Sequence, residues 1–160
     1  MGVPLSRQPF IVLPADEVRA WFARRMLGDG EAPERLHDVV LWPHQREAVV
    51  RIGDALEEFG GALLADDVGL GKTFVALAVA ARYADPLVVA PAALRSVWTD
   101  AAHRAAMAIR FCSIEWLSRG GVLPARPGIL VVDEAHHARN PATKRYAALA
   151  RLAIGVPVFL

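Results

Sequence analysis

Lys72 and Thr73 follow Gly69-Leu70-Gly71, where the apolar run "ALLA" gives way to a second one, "FVALAVAA". A strand feeding such a loop and then a helix is a phosphate cradle. The glycines let backbone N–H groups converge on an anion, and the helix N-terminus adds its dipole. The ammonium reaches outer phosphate oxygens, and the threonine hydroxyl ligates Mg²⁺. The strict pattern G-x-x-x-x-G-K-[ST] is not met, because Asp66 stands at the first glycine position. Further along, "ILVV" delivers Asp133 and Glu134. Adjacent carboxylates at a strand end divide the work of phosphoryl transfer: Asp133 holds Mg²⁺, and Glu134 orients or deprotonates the attacking water. A third feature lies upstream in "LWPHQREAV". The Gln45 amide accepts from an adenine N6 amino group while donating to N7, a pairing that guanine does not match. Each piece has an ordinary structural reading: a glycine turn, a solvated strand cap, a polar helix start. Together they point to Mg²⁺-dependent chemistry on ATP.

The elements around these residues alternate. Residues 15–27 read as an amphipathic helix with Val18, Trp21, Phe22 and Met26 on one stripe, ended by the turn chemistry of "GDGEAPE". A second helix starts at Pro43, carries Val49, Ile52, Leu56 and Phe59 at helical spacing, and stops at Gly60-Gly61. Short apolar strands are expected at 62–65, 87–90, 110–113, 128–132 and from 156 onward. Helices are expected at 72–83, 92–108 and 143–153. Strands alternating with helices in this way imply right-handed crossovers and a parallel sheet covered by helices on both faces. Ligands on such sheets sit at the carboxyl ends of the strands. The lysine, the threonine and both carboxylates fall at that edge.

Composition narrows the alternatives. At 160 residues, 54% apolar and 22% charged, the chain has the makings of one domain with a real core. No stretch without a charged residue exceeds nine residues, so no segment suits a bilayer span. Cys112 is the only cysteine, which excludes an internal disulfide and a cysteine-built zinc site and fits a reducing compartment. The histidines show no metal-ligand spacing. The net charge of +1 does not announce a nucleic-acid-binding surface. Sixteen arginines stand against two lysines, Lys72 and Lys144, so a lysine at the loop suggests a site that wants a compact ammonium. The same bias reads as a GC-rich bacterial source, and the expectation is a cytoplasmic, nucleoid-associated protein.

The residues also carry a resemblance. Gln45 after Leu-x-Pro-His, "ADDVGLGKT", "LVVAPAALRSVW" and "VVDEAHHARNP" resemble motifs Q, I, Ia and II of superfamily-two helicases. Asp66 and the Asn140-Pro141 pair after the DEAH box resemble the Swi/Snf-type branch most, and "SIEWLSRG" stands where that branch has its next, weaker motif. Asp67 stands where many members have Glu. The resemblance runs from about Leu41 to Leu160. It implies a RecA-like P-loop NTPase lobe over 41–160, incomplete at its C-terminal end, after an N-terminal helical extension, 1–40, of unknown role. It implies ATP and Mg²⁺ as cofactors, and a loop of Asp67, Val68, Gly69, Leu70, Gly71, Lys72 and Thr73 around the nucleotide, with Gln45 at the base. Thr73 and Asp133 then hold Mg²⁺, with Lys72, Asp133 and Glu134 as the catalytic set and His136 as a coupling residue. Pro91, Ala92, Arg95 and Ser96 face nucleic acid. The partners implied are double-stranded DNA, with RNA not excluded, and a second RecA-like lobe that supplies an arginine finger; no membrane is implied. The activity implied is ATP hydrolysis coupled to movement on duplex DNA in a longer protein, the 160 residues alone being inactive. The other readings are an RNA helicase lobe, a restriction-type motor subunit, and a module that holds ATP without turnover.

Overall fold

A computed structural model of the protein describes residues 14–16, 31–64 and 71–159. Most of the helix expected over 15–27 lies outside the described residues, as do Asp66, Asp67, Val68, Gly69 and Leu70 of the loop. From residue 31 onward the chain forms a hairpin of β1 (Arg35–Leu36) and β2 (Val39–Val40), followed by α1 (Pro43–Phe59) and β3 (Gly61–Ala62). Next come α2 (Lys72–Ala80), β4 (Pro86–Ala90), and a 3-10 turn (Ala92–Leu94) that runs into α3 (Arg95–Arg104). After these are β5 (Arg110–Ser113), α4 (Ile114–Ser118), β6 (Ile129–Val132), a 3-10 turn (Ala135–Ala138), α5 (Lys144–Ala153) and β7 (Val158–Phe159).

Five strands form one parallel sheet in the order β3-β7-β6-β4-β5. The β4 strand is interior, next to the edge strand β5, and pairs Leu87 with Arg110 on one side and with Leu130 of the central β6 on the other. Side chains alternate across the sheet, and each set finds helices. Val88, Ala90, Ile129, Val131 and Phe159 pack with Val49, Ile52, Leu56, Val75, Val79 and Trp98 from α1, α2 and α3. Leu87, Val89, Leu130 and Val132 pack with Ile114, Leu117 and Leu149 from α4 and α5. That explains the continuous apolar runs of the central strands, since neither face meets water. The expected α/β class, a parallel sheet with both faces covered, is what the chain forms.

Several boundaries differ from the sequence expectation. The first sheet strand covers only Gly61–Ala62, because as an edge strand it pairs with β7 through two positions. The helix expected at 92–108 is a 3-10 turn followed by a shorter α-helix that stops at Arg104. It stops because Ala106 turns left-handed (φ 49°), and Met107 N–H donates to Ala102 O at 2.9 Å. Ala106 N–H donates to His103 O at 3.0 Å, completing a Schellman closure built on alanine instead of glycine. Phe59 closes the apolar stripe of α1 in sequence yet is 59% exposed. The hairpin β1–β2 was not expected, and it adds Leu36 and Val39 to the core.

Candidate nucleotide-binding site

At the carboxyl edge of the sheet, Gly71 stands before α2 in the left-handed region (φ 74°). Phe74 N–H and Val75 N–H both reach back to Gly71 O, at 3.0 and 3.4 Å. The first-turn amides of Lys72 and Thr73 are donors that the helix itself does not satisfy. Gly71 also permits a close approach. A Cβ at that position would overlap Gln45 Nε2, so the glutamine amide lies against the base of the loop. Gln45 is 8% exposed, and its Oε1 accepts from Trp42 N–H at 2.9 Å, closing the start of α1. The residue expected at the adenine thus packs against Gly71 while fixing the entry to its own helix. One lone pair of Oε1 is used in doing so, and an amide oxygen has two.

Asp133 follows β6, and its N–H donates to Val89 O at 3.0 Å, carrying the ladder one residue past the strand. Its carboxylate is held at both ends. Oδ1 accepts from Glu134 N–H at 2.9 Å, and Oδ2 accepts from the Trp98 indole Nε1–H at 2.9 Å. Glu134 sits in the left-handed region (φ 55°, ψ 43°), unusual for a residue with a side chain. Its Oε2 lies 2.9 Å from His136 Nδ1, both side chains about half exposed. One cavity of about 640 Å³ is lined by Gly71, Lys72, Thr73, Trp98, Asp133, Glu134, His136 and Arg139, with Phe159 and Leu64 among its apolar walls. Residues far apart in sequence thus meet on one surface.

Mg²⁺ bound to a nucleotide needs one or two protein oxygens, since phosphates and water supply the rest. A carboxylate and a hydroxyl lining one cavity, Asp133 and Thr73, fit that requirement. Among the described residues there is no group of three or more His, Cys, Asp or Glu suited to an all-protein metal site.

The segment expected to face nucleic acid makes contacts within the chain. Pro91 precedes the 3-10 turn, and Ala92 N–H donates to Glu115 Oε2 at 3.1 Å. The Arg95 guanidinium lies 4.5 Å from the centre of the Phe111 ring. Ser96 O accepts from the Thr99 hydroxyl at 3.0 Å. Glu115 bonds its own backbone N–H above all, then Ala92 N–H and the Ser113 hydroxyl, with Arg145 nearby. These hold its carboxyl below the ordinary value against the opposing effect of burial. Trp98 and Glu115 were given no role from the sequence. The available signal for Trp98 was that a tryptophan at an apolar helix position must find an acceptor for its N–H.

No family model matches the chain. It is 33% identical over 132 residues to the SWI/SNF-related matrix-associated actin-dependent regulator of chromatin subfamily A-like protein 1 of Xenopus laevis. That match covers 68% of this chain and 13% of the relative, so the chain spans a small part of the protein it is similar to. A homologue of the same name in Caenorhabditis elegans is 43% identical over 61 residues, covering 36% of this chain and 8% of its own length. Among solved structures, the Sulfolobus solfataricus SWI2/SNF2 ATPase core in complex with dsDNA shares the fold. Its TM-score is 0.71 at 21% identity, over 81% of this chain and 33% of that one.

These relatives correct one expectation. The arginine bias suggests a bacterial, nucleoid-associated, cytoplasmic protein, but the matched relatives are animal proteins named as regulators of chromatin. Arginine over lysine reports base composition and a preference for planar donors, neither of which is an address. By its sequence over the matched residues and by its fold, this chain is a relative of the Swi/Snf-type helicase-like ATPases and carries the RecA-like lobe of such a core.

Proposed function

We propose that this chain is the ATP-binding lobe of a DNA-dependent, helicase-like ATPase that moves on duplex DNA when a second lobe is present. One observation carries the reading: Lys72 and Thr73 line the same cavity as Asp133 and Glu134. Lys72 takes the outer phosphates, and Thr73 and Asp133 hold Mg²⁺. Asp67, Val68, Gly69, Leu70 and Gly71 complete the loop, and Gln45 takes the adenine edge. Mg²⁺, when bound, supplies neutralisation of the phosphate charge. Glu134 orients the attacking water, and its bond to His136 is the link through which the site communicates with the rest of the motor. Pro91, Ala92, Arg95 and Ser96 border the face for the nucleic-acid backbone, where contacts are phosphate-directed and sequence-independent. Support for duplex DNA comes from the solved Sulfolobus solfataricus core, which is in complex with dsDNA. Stimulated turnover rests on an arginine from the second lobe, a group worth roughly 10³–10⁵ in rate. The 160 residues alone are therefore expected to bind nucleotide weakly and to show no DNA-stimulated turnover.

Calorimetry of this chain with Mg·ATP and with Mg·GTP tests the proposal. ATP is expected to bind more tightly, through the Gln45 amide. Equal affinities would remove Gln45 from the site, and no heat with either nucleotide would overturn the reading.

A further inference from the structure

The nucleotide reading leaves unexplained why the one polar atom of a buried tryptophan is spent on the carboxylate that borders the cavity. Trp98 lies in the first half of α3 and is 2% exposed. Its ring packs in the core cluster that includes Val88, Ala90 and Val131 of the central strands, so it has little freedom to turn. A buried indole N–H needs an acceptor, and any backbone carbonyl would serve. Here the acceptor is Asp133 Oδ2, at 2.9 Å. The other oxygen, Oδ1, is taken by Glu134 N–H, also at 2.9 Å. Two donors on two different oxygens fix both the rotation and the tilt of the carboxylate plane. Each oxygen keeps a second lone pair for another partner.

We propose that Trp98 is a positioning residue for the nucleotide's Mg²⁺: its indole N–H holds the Asp133 carboxylate in the orientation that receives the hydrated ion. The inference rests on the nucleotide site proposed above. It also gives α3 a role beyond packing. This helix continues from the 3-10 turn that starts at Ala92, so a shift of that turn reaches the carboxylate through one rigid side chain. Outer partners of metal-binding groups matter for metal affinity by about ten- to a hundredfold when removed.

The test uses two variants that delete the N–H and keep an aromatic ring: Trp98→Phe, and replacement of Trp98 by β-(3-benzothienyl)alanine, which keeps the bicyclic shape. Mant-ATP is titrated into each protein by fluorescence, once with excess Mg²⁺ and once with EDTA. The expected result is an unchanged affinity in EDTA and a Mg²⁺-dependent gain about tenfold smaller than in the wild type. A merely structural indole would move both affinities together or neither. If the wild-type Mg²⁺ gain persists in either folded variant, the proposal is overturned while the nucleotide site stands. If the wild-type chain shows no Mg²⁺-dependent affinity for mant-ATP, the nucleotide reading falls, and this inference with it.

Discussion

Glu115 Oε2 accepts from the backbone N–H of Ala92 at 3.1 Å, which puts an anion on the helix start expected to meet a nucleic-acid phosphate. A phosphate approaching Ala92 must share or displace that carboxylate. Glu115→Gln keeps an acceptor for Ala92 N–H and removes the charge. The expected result is tighter binding of a short DNA duplex at low salt, by about two- to fivefold, the scale of one exposed charge interaction. Fluorescence anisotropy across a salt series reads it, and the gain should shrink as salt rises. Equal affinities at every salt concentration would show that DNA does not approach Ala92.

The same carboxylate has a pH signature. Its folded pKa is lowered from 4.5, first by its own backbone N–H and then by its other donors. A depressed carboxylate stabilises the fold above the unfolded pKa and loses that contribution as pH falls through the folded value. The difference in Tm between wild type and Glu115→Gln is therefore constant near neutrality and closes below about pH 4.5. Thermal melts from pH 7 to pH 3 check this, and a difference that grows on acidification would contradict it.

Lys72→Ala tests the proposed phosphate contact. Lys72 lies at the first position of α2 beside the cavity and outside the apolar core, so its loss creates no core cavity and should leave the protein folded. A charge-assisted hydrogen bond contributes about 1.5–3 kcal/mol, so Mg·ATP affinity should fall roughly ten- to a hundredfold. Calorimetry on both proteins decides it.

What the sequence made legible follows from physics that acts locally. The central strands were readable because burial on both faces demands continuous apolar runs, and α1 was readable from Pro43 at its start and Gly60 at its end. The meeting of the Lys72–Thr73 and Asp133–Glu134 pairs on one cavity was readable because the carboxyl edge of a parallel sheet gathers the loops that follow its strands. Hidden features depend on tertiary neighbours. The hairpin was invisible because two-residue strands carry no period, and its turn, His37–Asp38, lacks the usual glycine or asparagine. Trp98 looked like any core aromatic, and its role is defined by Asp133 in another element. The break after Arg104 depends on Ala106 adopting a conformation that alanine does not advertise.

Ala106 also offers a stability test. In the left-handed region (φ 49°) a Cβ costs about 1–2 kcal/mol. Glycine removes that strain and returns about 0.4–1 kcal/mol through the freer unfolded chain. Ala106→Gly should thus stabilise the protein by roughly 0.5–1 kcal/mol. Urea unfolding at constant m-value measures it. A destabilised variant would mean that the alanine methyl packs more than it strains.

The contact between Gln45 and Gly71 gives the last prediction, because it joins the proposed phosphate loop to the residue proposed for adenine. Gly71→Ala meets two obstacles: a left-handed backbone (φ 74°) and the Gln45 amide lying where the new methyl would go. The first costs about 1–2 kcal/mol whatever surrounds it. The second is a steric term that exists only while Gln45 has its side chain. Gln45→Ala alone should cost about 1 kcal/mol, since Oε1 no longer accepts from Trp42 N–H at the start of α1. Together the two changes should cost less than their separate sum, because deleting the glutamine clears the space that the methyl needs. Residues in contact show couplings of about 0.5–3 kcal/mol, and this one should have the sign of relief. A double-mutant cycle by urea unfolding gives the stability coupling, and the same four proteins titrated with Mg·ATP give the binding coupling. Additive stabilities would mean that Gln45 does not rest against Gly71 in solution, and the adenine and phosphate contacts would then act as independent sites.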